Sequence, residues 1–539
     1  MSSHSALRRV PALPPADPRR ARPPLRRRLQ VALAALLAAG QLTALPVQAQ
    51  TATPARPLPG LGDGAEMSVG TERELGDRIA RELYRDPDFV DDPVLADYVQ
   101  GIWQPLLAAA RQRGELTPEL DERFAWVLMI GRDRSINAFA LPGGYLGVNT
   151  GLIAVVGSRD ELASVLAHEL THVTQRHISR MLTQQSRQMP LMLAAMLLGG
   201  LAMSKSGRSG GDLGSAMMVG GQAMAMQKQL DFSRDMEREA DRIGFGVMSQ
   251  AGFAPQGAAA MFEKLQYASR LNDNGSYPYL RSHPLTSERI TEMQARFQFR
   301  EGAPAPTIAL TPEHAMMAAR ARVLSRPGVD LLRQWVQAAQ GSTAPASAAT
   351  AGTLYAGALA ARELRDLPAA RGLAQKLRAQ VGTSGEPARL ARLLAAEIEM
   401  GAGNAVAAVA LLDVRAKSRG EMLMAGQAAL LTRSHAAEAA PVLRDWVATH
   451  PRDATVWRLL GGLYDVEGDT LRAIRAEAES QVAQLDYVAA RDRFRAAQDY
   501  VRETTAKGGR IDHIEASIVD VRAREIERLA REQMEEKPM

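Results

Sequence analysis

Residues 166–172 read Leu-Ala-His-Glu-Leu-Thr-His, a His-Glu-x-x-His run inside an apolar helical pattern that extends from about Glu161 to Ser186. Positions four apart on a helix of 3.6 residues per turn lie about 40° from each other. His168 and His172 can therefore reach one metal ion from the same face. Glu169 directly follows the first of them and stands beside the metal, poised to take a proton from bound water and pass it to a leaving amine. Imidazoles with a carboxylate suit zinc better than calcium or magnesium.

A catalytic zinc takes a third protein ligand and keeps one position open. Candidates lie in SRDMEREAD (233–241), where Glu237 and Asp241 share a helix face. One of the two can ligate while the other accepts a hydrogen bond from a ligating histidine. Glu239 lies about 160° around the helix from either and is expected to point elsewhere. His283 sits in Ser282-His283-Pro284, before a helix for which Pro284 makes a good first residue. It could donate to the oxyanion of a tetrahedral intermediate, or fill the fourth metal position and hold the site inactive. A capping or surface role fits the spacing as well. His177 falls about 180° from His168 on the same helix and is rejected as a ligand.

Upstream, helical patterning begins near Glu72 and recurs over 93–113. The runs FAWVLMI (124–130) and INAFAL (136–141) read as strands. Pro142-Gly143-Gly144 turns the second into an extended Tyr145–Val148, a hairpin. Downstream, the apolar, Met-rich segments 190–203 and 215–226 are too short and too Gly-interrupted to span a bilayer. They read as a helical hairpin over the site, touching membrane or substrate. Ordinary core packing fits them equally, since Met fills irregular cores. Helices follow at about 232–250, 255–268 and 284–297.

The chain has 539 residues, too many for one core, and its 46% hydrophobic, 23% charged composition excludes a wholly disordered chain. It has no cysteine, which removes disulfides, thiol nucleophiles and Cys-ligated metals. The formal charge of +5 would hint at nucleic acid. That charge belongs to the first 49 residues. Eight arginines precede an apolar run from Leu29 to about Leu45, closed by Val47-Gln48-Ala49, the pattern of a cleavable export signal. Removing residues 1–49 deletes eight Arg and one Asp and leaves −2. No nucleic-acid partner is expected.

Residues 50–70 read as a flexible lead-in, 71–300 as the peptidase domain and EGAPAPTIALTP (301–312) as a linker. Over 313–503 the composition shifts to Ala, Leu and Arg. Helix–turn–helix units fit at about 386–419, 420–452 and 453–484, a tetratricopeptide (TPR) spacing. The clearest is Trp457-x2-Leu460-Gly461-x2-Tyr464. An irregular helical bundle is the plainer alternative. Residues 504–539 form a charged helical tail.

Together NAFALPGGYLGVNTGLI (137–153), HELTHVTQRH (168–177), EREADRIG (237–244) and SHPLTSER (282–289) resemble the zinc metallopeptidases that include HtpX and the CAAX-prenyl proteases. The order of parts resembles their periplasmic branch, which adds TPR repeats and assists outer-membrane β-barrel assembly. The resemblance implies a mainly α protein: an α+β zincin-type domain with a small β-sheet, then a TPR solenoid. It implies one Zn2+ per chain on His168, His172 and Glu237, with Glu169 as general base and Asp241 supporting a ligand. His283 would be a regulatory or transition-state histidine, with Arg289 at the same site. Asn137 and Ala138 would lie on an edge strand that pairs with extended substrate. The family further implies location in a Gram-negative periplasm, unfolded or misassembled outer-membrane proteins as substrates, and barrel-assembly machinery as partner of the TPR groove. A chaperone with rare, gated proteolysis is the alternative reading.

Overall fold

The structure is a computed structural model that describes residues 67–183, 233–270, 279–298 and 310–536. The export-signal segment, the Met-rich segments at 190–203 and 215–226, and most of the lead-in and linker lie outside the described residues. Apart from Asp86–Asp88, the described residues cluster as one compact unit.

Helix α1 (Val69–Tyr84) begins at Ser68, whose side chain accepts from the amide of Thr71. Strand β1 (Phe89–Val90), helix α2 (Pro93–Gln112) and the short helix α3 (Pro118–Arg123) follow. Then come β2 (Val127–Gly131), β3 (Ala138–Leu141) and β4 (Tyr145–Asn149), in the sheet order β1-β2-β4-β3. β3 and β4 form an antiparallel hairpin, β2 runs parallel to β4, and β3 is an edge. The apolar run at 124–130 becomes strand only from Val127. Phe124 closes α3 by donating its amide to Leu120, and Trp126 takes a left-handed φ of 51°. In the β3–β4 turn Gly144 has φ 88°, and a Cβ there would lie 2.8 Å from Phe124 Cβ.

Helix α4 (Thr150–Val155) leads to α5 (Arg159–Thr174), which carries the His pair. Ser158 caps α5 by accepting from Glu161 N at 3.0 Å, and the Glu161 carboxylate reaches back to Gly157 N at 2.8 Å. Every α5 residue from Val165 onward is buried, so this helix is the spine of the domain and β3 packs on it. The single long helix expected over 161–186 is broken. Arg176 takes φ 53°, and the helix resumes as α6 (177–183). The cause is tertiary: the Arg176 guanidinium is held by Glu72 at 2.8 Å and by the carbonyl of Met67.

Helix α7 (233–250) crosses α5 where Gly244 faces it; a Cβ on Gly244 would lie 3.1 Å from the backbone of Ala167 and His168. Glu237, Asp241 and Gly244 fall on one face of α7, so this close approach brings both carboxylates to the His pair. Helix α8 (Gln256–Arg270), the one-turn α9 (Tyr279–Ser282) and α10 (Ser287–Gln298) complete the domain. The helix expected to start at Pro284 starts at Ser287. Thr286 caps it, accepting from Arg289 N on its hydroxyl and from Ile290 N on its carbonyl.

Twelve helices then pack in sequence as a solenoid. They are α11 (Pro312–Leu324), α12 (Val329–Gln340), α13 (Ala348–Glu363), α14 (Leu367–Val381), α15 (Gly385–Gly401), α16 (Ala405–Val409), α17 (Arg419–Thr432), α18 (Ala436–Thr449), α19 (Ala454–Glu467), α20 (Thr470–Ala483), α21 (Tyr487–Ala506) and α22 (His513–Glu535). On α19, Trp457, Leu460 and Tyr464 are buried, and Trp457 donates to the carbonyl of Pro451 at 3.0 Å. The apolar core does not stop at the linker: Met316 and Met317 of α11 share one cluster with Leu152 and Ile153 of α4. Polar ties add to it. Arg419 bridges Asp91 and Asp453, and Arg81 of α1 pairs with Glu536 at the far end of the arm at 2.8 Å. No helix among the described residues is long and apolar enough to cross a membrane.

Candidate metal centre

Four buried side chains converge: His168 and His172 from α5, Glu237 from α7, and His283 from the loop after α9. One donor atom from each lies within 4.8 Å of the others. His168 Nε2 is 3.0 Å from His172 Nε2 and 3.3 Å from Glu237 Oε2, and His172 Nε2 is 3.4 Å from Glu237 Oε1. His283 Nδ1 lies 3.3 Å from His168 Nε2 and 3.0 Å from Glu237 Oε1. A tetrahedral ion with bonds of about 2.0–2.1 Å holds its donors roughly 3.3–3.4 Å apart. The spacing suits such an ion.

The polar groups around the cluster are directional. Asp241 Oδ1 accepts from His168 Nδ1 at 3.0 Å, which leaves Nε2 of that ring facing the cluster. Arg289 grips both oxygens of Asp241 at 2.7 and 2.9 Å and reaches Glu237 Oε2 at 3.0 Å. Its Nη1 also donates to the carbonyl of Pro284 at 2.8 Å, which ties the His283 loop to the site. The His283 ring packs on Tyr279, one helical turn before it, with centroids 4.6 Å apart.

These contacts set the protonation of the metal-free cluster. Burial opposes charge on His168, but hydrogen bonds to Asp241 and Glu237 outweigh it and push the ring up to about 10. Burial, then the charge on His168, holds His172 well below its ordinary value. Burial works to raise Glu237, yet His283 and His168 together hold its carboxyl well below the usual range.

Glu169 is 1% exposed, and neither of its carboxylate oxygens has a hydrogen-bond partner. Its Oε1 stands 3.3 Å from His283 Nε2. A buried carboxylate that accepts no hydrogen bond is costly and marks a place where a ligand belongs. Asn137 and Ala138 are not among the four converging donors. Ala138 opens edge strand β3, and Asn137 precedes it, its carbonyl accepting from Asn149 N at 3.0 Å.

His177 lies against the cluster, and Glu239 stands behind it. His177 Nδ1 is 2.8 Å from His172 Nδ1, and His177 Nε2 is 3.0 Å from Glu239 Oε2. His177 is not among the four converging donors. On one straight helix its ring would face away from His168; the left-handed residue Arg176 swings it back toward His172. Glu239 does point away from Glu237 and Asp241, but toward His177 and Arg180.

The model of peptidase family M48 matches residues 107–297, the stretch that contains every residue of the cluster. A beta-barrel assembly-enhancing protease of Escherichia coli is 30% identical over 483 residues, 86% of this chain and 90% of its own length. The chain belongs to peptidase family M48. A Vibrio cholerae protein named in similar terms is 34% identical over 280 residues; the chain spans about half of that relative's length, 53%. A mitochondrial metalloendopeptidase of Arabidopsis thaliana is 31% identical over 168 residues, 31% of either chain. The match to the mitochondrial enzyme covers far less of the chain than the match to the Escherichia coli one, 31% against 86%.

Proposed function

We propose that the protein is a zinc-dependent endopeptidase of the Gram-negative periplasm that assists outer-membrane β-barrel assembly and removes misassembled barrel proteins. The observation that carries this reading is the buried Glu169 carboxylate, which accepts no hydrogen bond, beside four converging donors. Imidazole nitrogens with one carboxylate oxygen, at tetrahedral spacing, suit zinc. His168, His172 and Glu237 would hold it, and the bound ion would activate water and polarise the scissile carbonyl. Glu169 takes the proton from the attacking water and delivers it to the leaving amine. Asp241 keeps His168 oriented, and Arg289 keeps Asp241 and Glu237 in place. An extended substrate adds to strand β3 at Asn137–Ala138, the outer strand of the described sheet, where main-chain bonds give affinity with little sequence preference.

The Escherichia coli relative, named a beta-barrel assembly-enhancing protease, supports the barrel-assembly role. In this reading the groove of the helical arm docks the assembly machinery. The test is cleavage of an unfolded outer-membrane β-barrel protein by the purified chain. Zinc should support it, a chelator should stop it, and added zinc should restore it; cleavage indifferent to the chelator overturns the reading.

The position of His283 favours a second reading. Its ring stands between Glu237 and Glu169, at 3.0 and 3.3 Å, against both a candidate ligand and the candidate general base. An assembly factor that works mainly by binding, with gated proteolysis, fits this placement. Cells lacking the wild type decide: full rescue of barrel assembly by Glu169→Gln supports binding, and failure supports proteolysis.

A further inference from the structure

We infer that His177, oriented by Glu239, is a positioning residue that fixes the tautomer of His172 and so tightens metal binding. The inference rests on the metal-site reading above and adds two side chains to it. The contacts are His172 Nδ1 to His177 Nδ1 at 2.8 Å, His177 Nε2 to Glu239 Oε2 at 3.0 Å, and Arg180 Nη1 to the same oxygen at 2.9 Å.

Hydrogen-bond direction follows from the chemistry of the groups. Glu239, paired with Arg180, is an acceptor only, so His177 Nε2 carries the proton between them. A neutral His177 then has a bare Nδ1. Two bare nitrogens cannot share a hydrogen bond, so the proton on the short Nδ1–Nδ1 contact belongs to His172. That leaves His172 Nε2 with its lone pair aimed into the cluster, 3.0 Å from His168 Nε2. The two helical ligands are thus fixed alike, His168 by the Asp241 carboxylate and His172 by an imidazole with a carboxylate behind it.

The geometry has an identifiable source. On a straight helix His177 would face away from His168. The left-handed Arg176, locked by Glu72 and the Met67 carbonyl, returns the ring to the buried side, where His177 is 2% exposed. Glu239 is partly exposed, so its removal leaves the core intact.

The test compares His177→Phe, which keeps the ring's shape without the acceptor, with His177→Asn, whose Oδ1 can stand in for Nδ1. Zinc affinity is read by competition with a chromophoric chelator. Outer hydrogen-bond partners of ligating histidines are worth about 10–100-fold in affinity. His177→Phe should weaken zinc binding within that range, Glu239→Ala should weaken it by several-fold, and His177→Asn should stay close to wild type. Nitrogen-15 spectra of the metal-free protein should place the proton of His172 on Nδ1 in the wild type and show mixed tautomers in Glu239→Ala. Wild-type affinity in both His177→Phe and Glu239→Ala overturns the inference, as does a proton on Nε2 of His172 in the wild type. A wild-type chain that binds no zinc contradicts the metal-site reading instead, and the tautomer measurement still judges His177. If His177→Phe fails to fold, Glu239→Ala decides.

Discussion

Arg320 of α11 pairs with Asp92, the residue that caps α2, through two bonds of 2.6 Å, and is itself only 2% exposed. The same guanidinium donates to Tyr355 Oη at 2.9 Å and Glu397 Oε2 at 2.8 Å. Asp92 meanwhile accepts from Leu95 N at 2.8 Å. One buried cation therefore joins the first long helix of the peptidase domain to three helices of the arm. Removing one partner of a buried pair leaves the other charge uncompensated, at about 3–5 kcal/mol. Arg320→Met should lower stability by about that amount in urea denaturation. Arg320→Lys should not rescue it, because a single ammonium cannot reproduce the planar fork. A lysine variant as stable as the wild type would contradict this account of the joint.

A second tie at the same junction is sensitive to pH. His314 lies buried in the first turn of α11, with Nδ1 2.7 Å from Tyr98 Oη and Nε2 2.8 Å from the carbonyl of Val156. The carbonyl can only accept, so Nε2 carries the proton and Nδ1 accepts from the tyrosine. Burial lowers the His314 pKa from 6.5; the Val156 carbonyl and the charges of Glu161 and Asp160 oppose this, and Lys264 adds to it. With the folded value depressed, the unfolded chain binds more protons in the window below about pH 6.5. The contribution is complete above that pH and falls as the medium acidifies, by at most about 1.4 kcal/mol per pH unit. The loss of stability between pH 7.5 and 5.5 should be smaller in His314→Gln than in the wild type. Equal losses would remove His314 from the account.

Gly244 controls how near Glu237 comes to the histidines. A methyl group there meets the backbone of Ala167 and His168 at 3.1 Å, and the larger side chain of valine must push the helices apart. Overpacking of this kind costs about 1–3 kcal/mol. Gly244→Val should weaken zinc affinity as well as lower stability, and Gly244→Ala should do less of both. A valine variant with wild-type affinity would show that the helix approach does not set the site.

The helix bearing His168 and His172, the hairpin at 138–149 and the shared face of Glu237 and Asp241 were legible because each depends on local periodicity. What stayed hidden depends on partners far away in the sequence. No pattern within residues 161–186 announces the break at Arg176, since Glu72 and Met67 hold it from a hundred residues upstream. A straight-helix projection turns His177 away from His172 for that reason, and so hides its contact with Glu239. The start of α10 was misread because Pro284 is a good first residue on propensity, whereas its carbonyl is taken by Arg289 and Thr286 supplies the cap. The joint of Arg320 with Asp92, 228 positions apart, was beyond any local signal.

Glu169 is the residue on which catalysis turns, and the decisive measurement is zinc content and cleavage of an unfolded β-barrel protein on the same preparation of Glu169→Gln. General-base catalysis contributes about 10²–10⁴-fold. The account predicts one zinc per chain, unchanged folding, and cleavage reduced by at least about 100-fold. Cleavage at the wild-type rate by a variant that holds its zinc would contradict it.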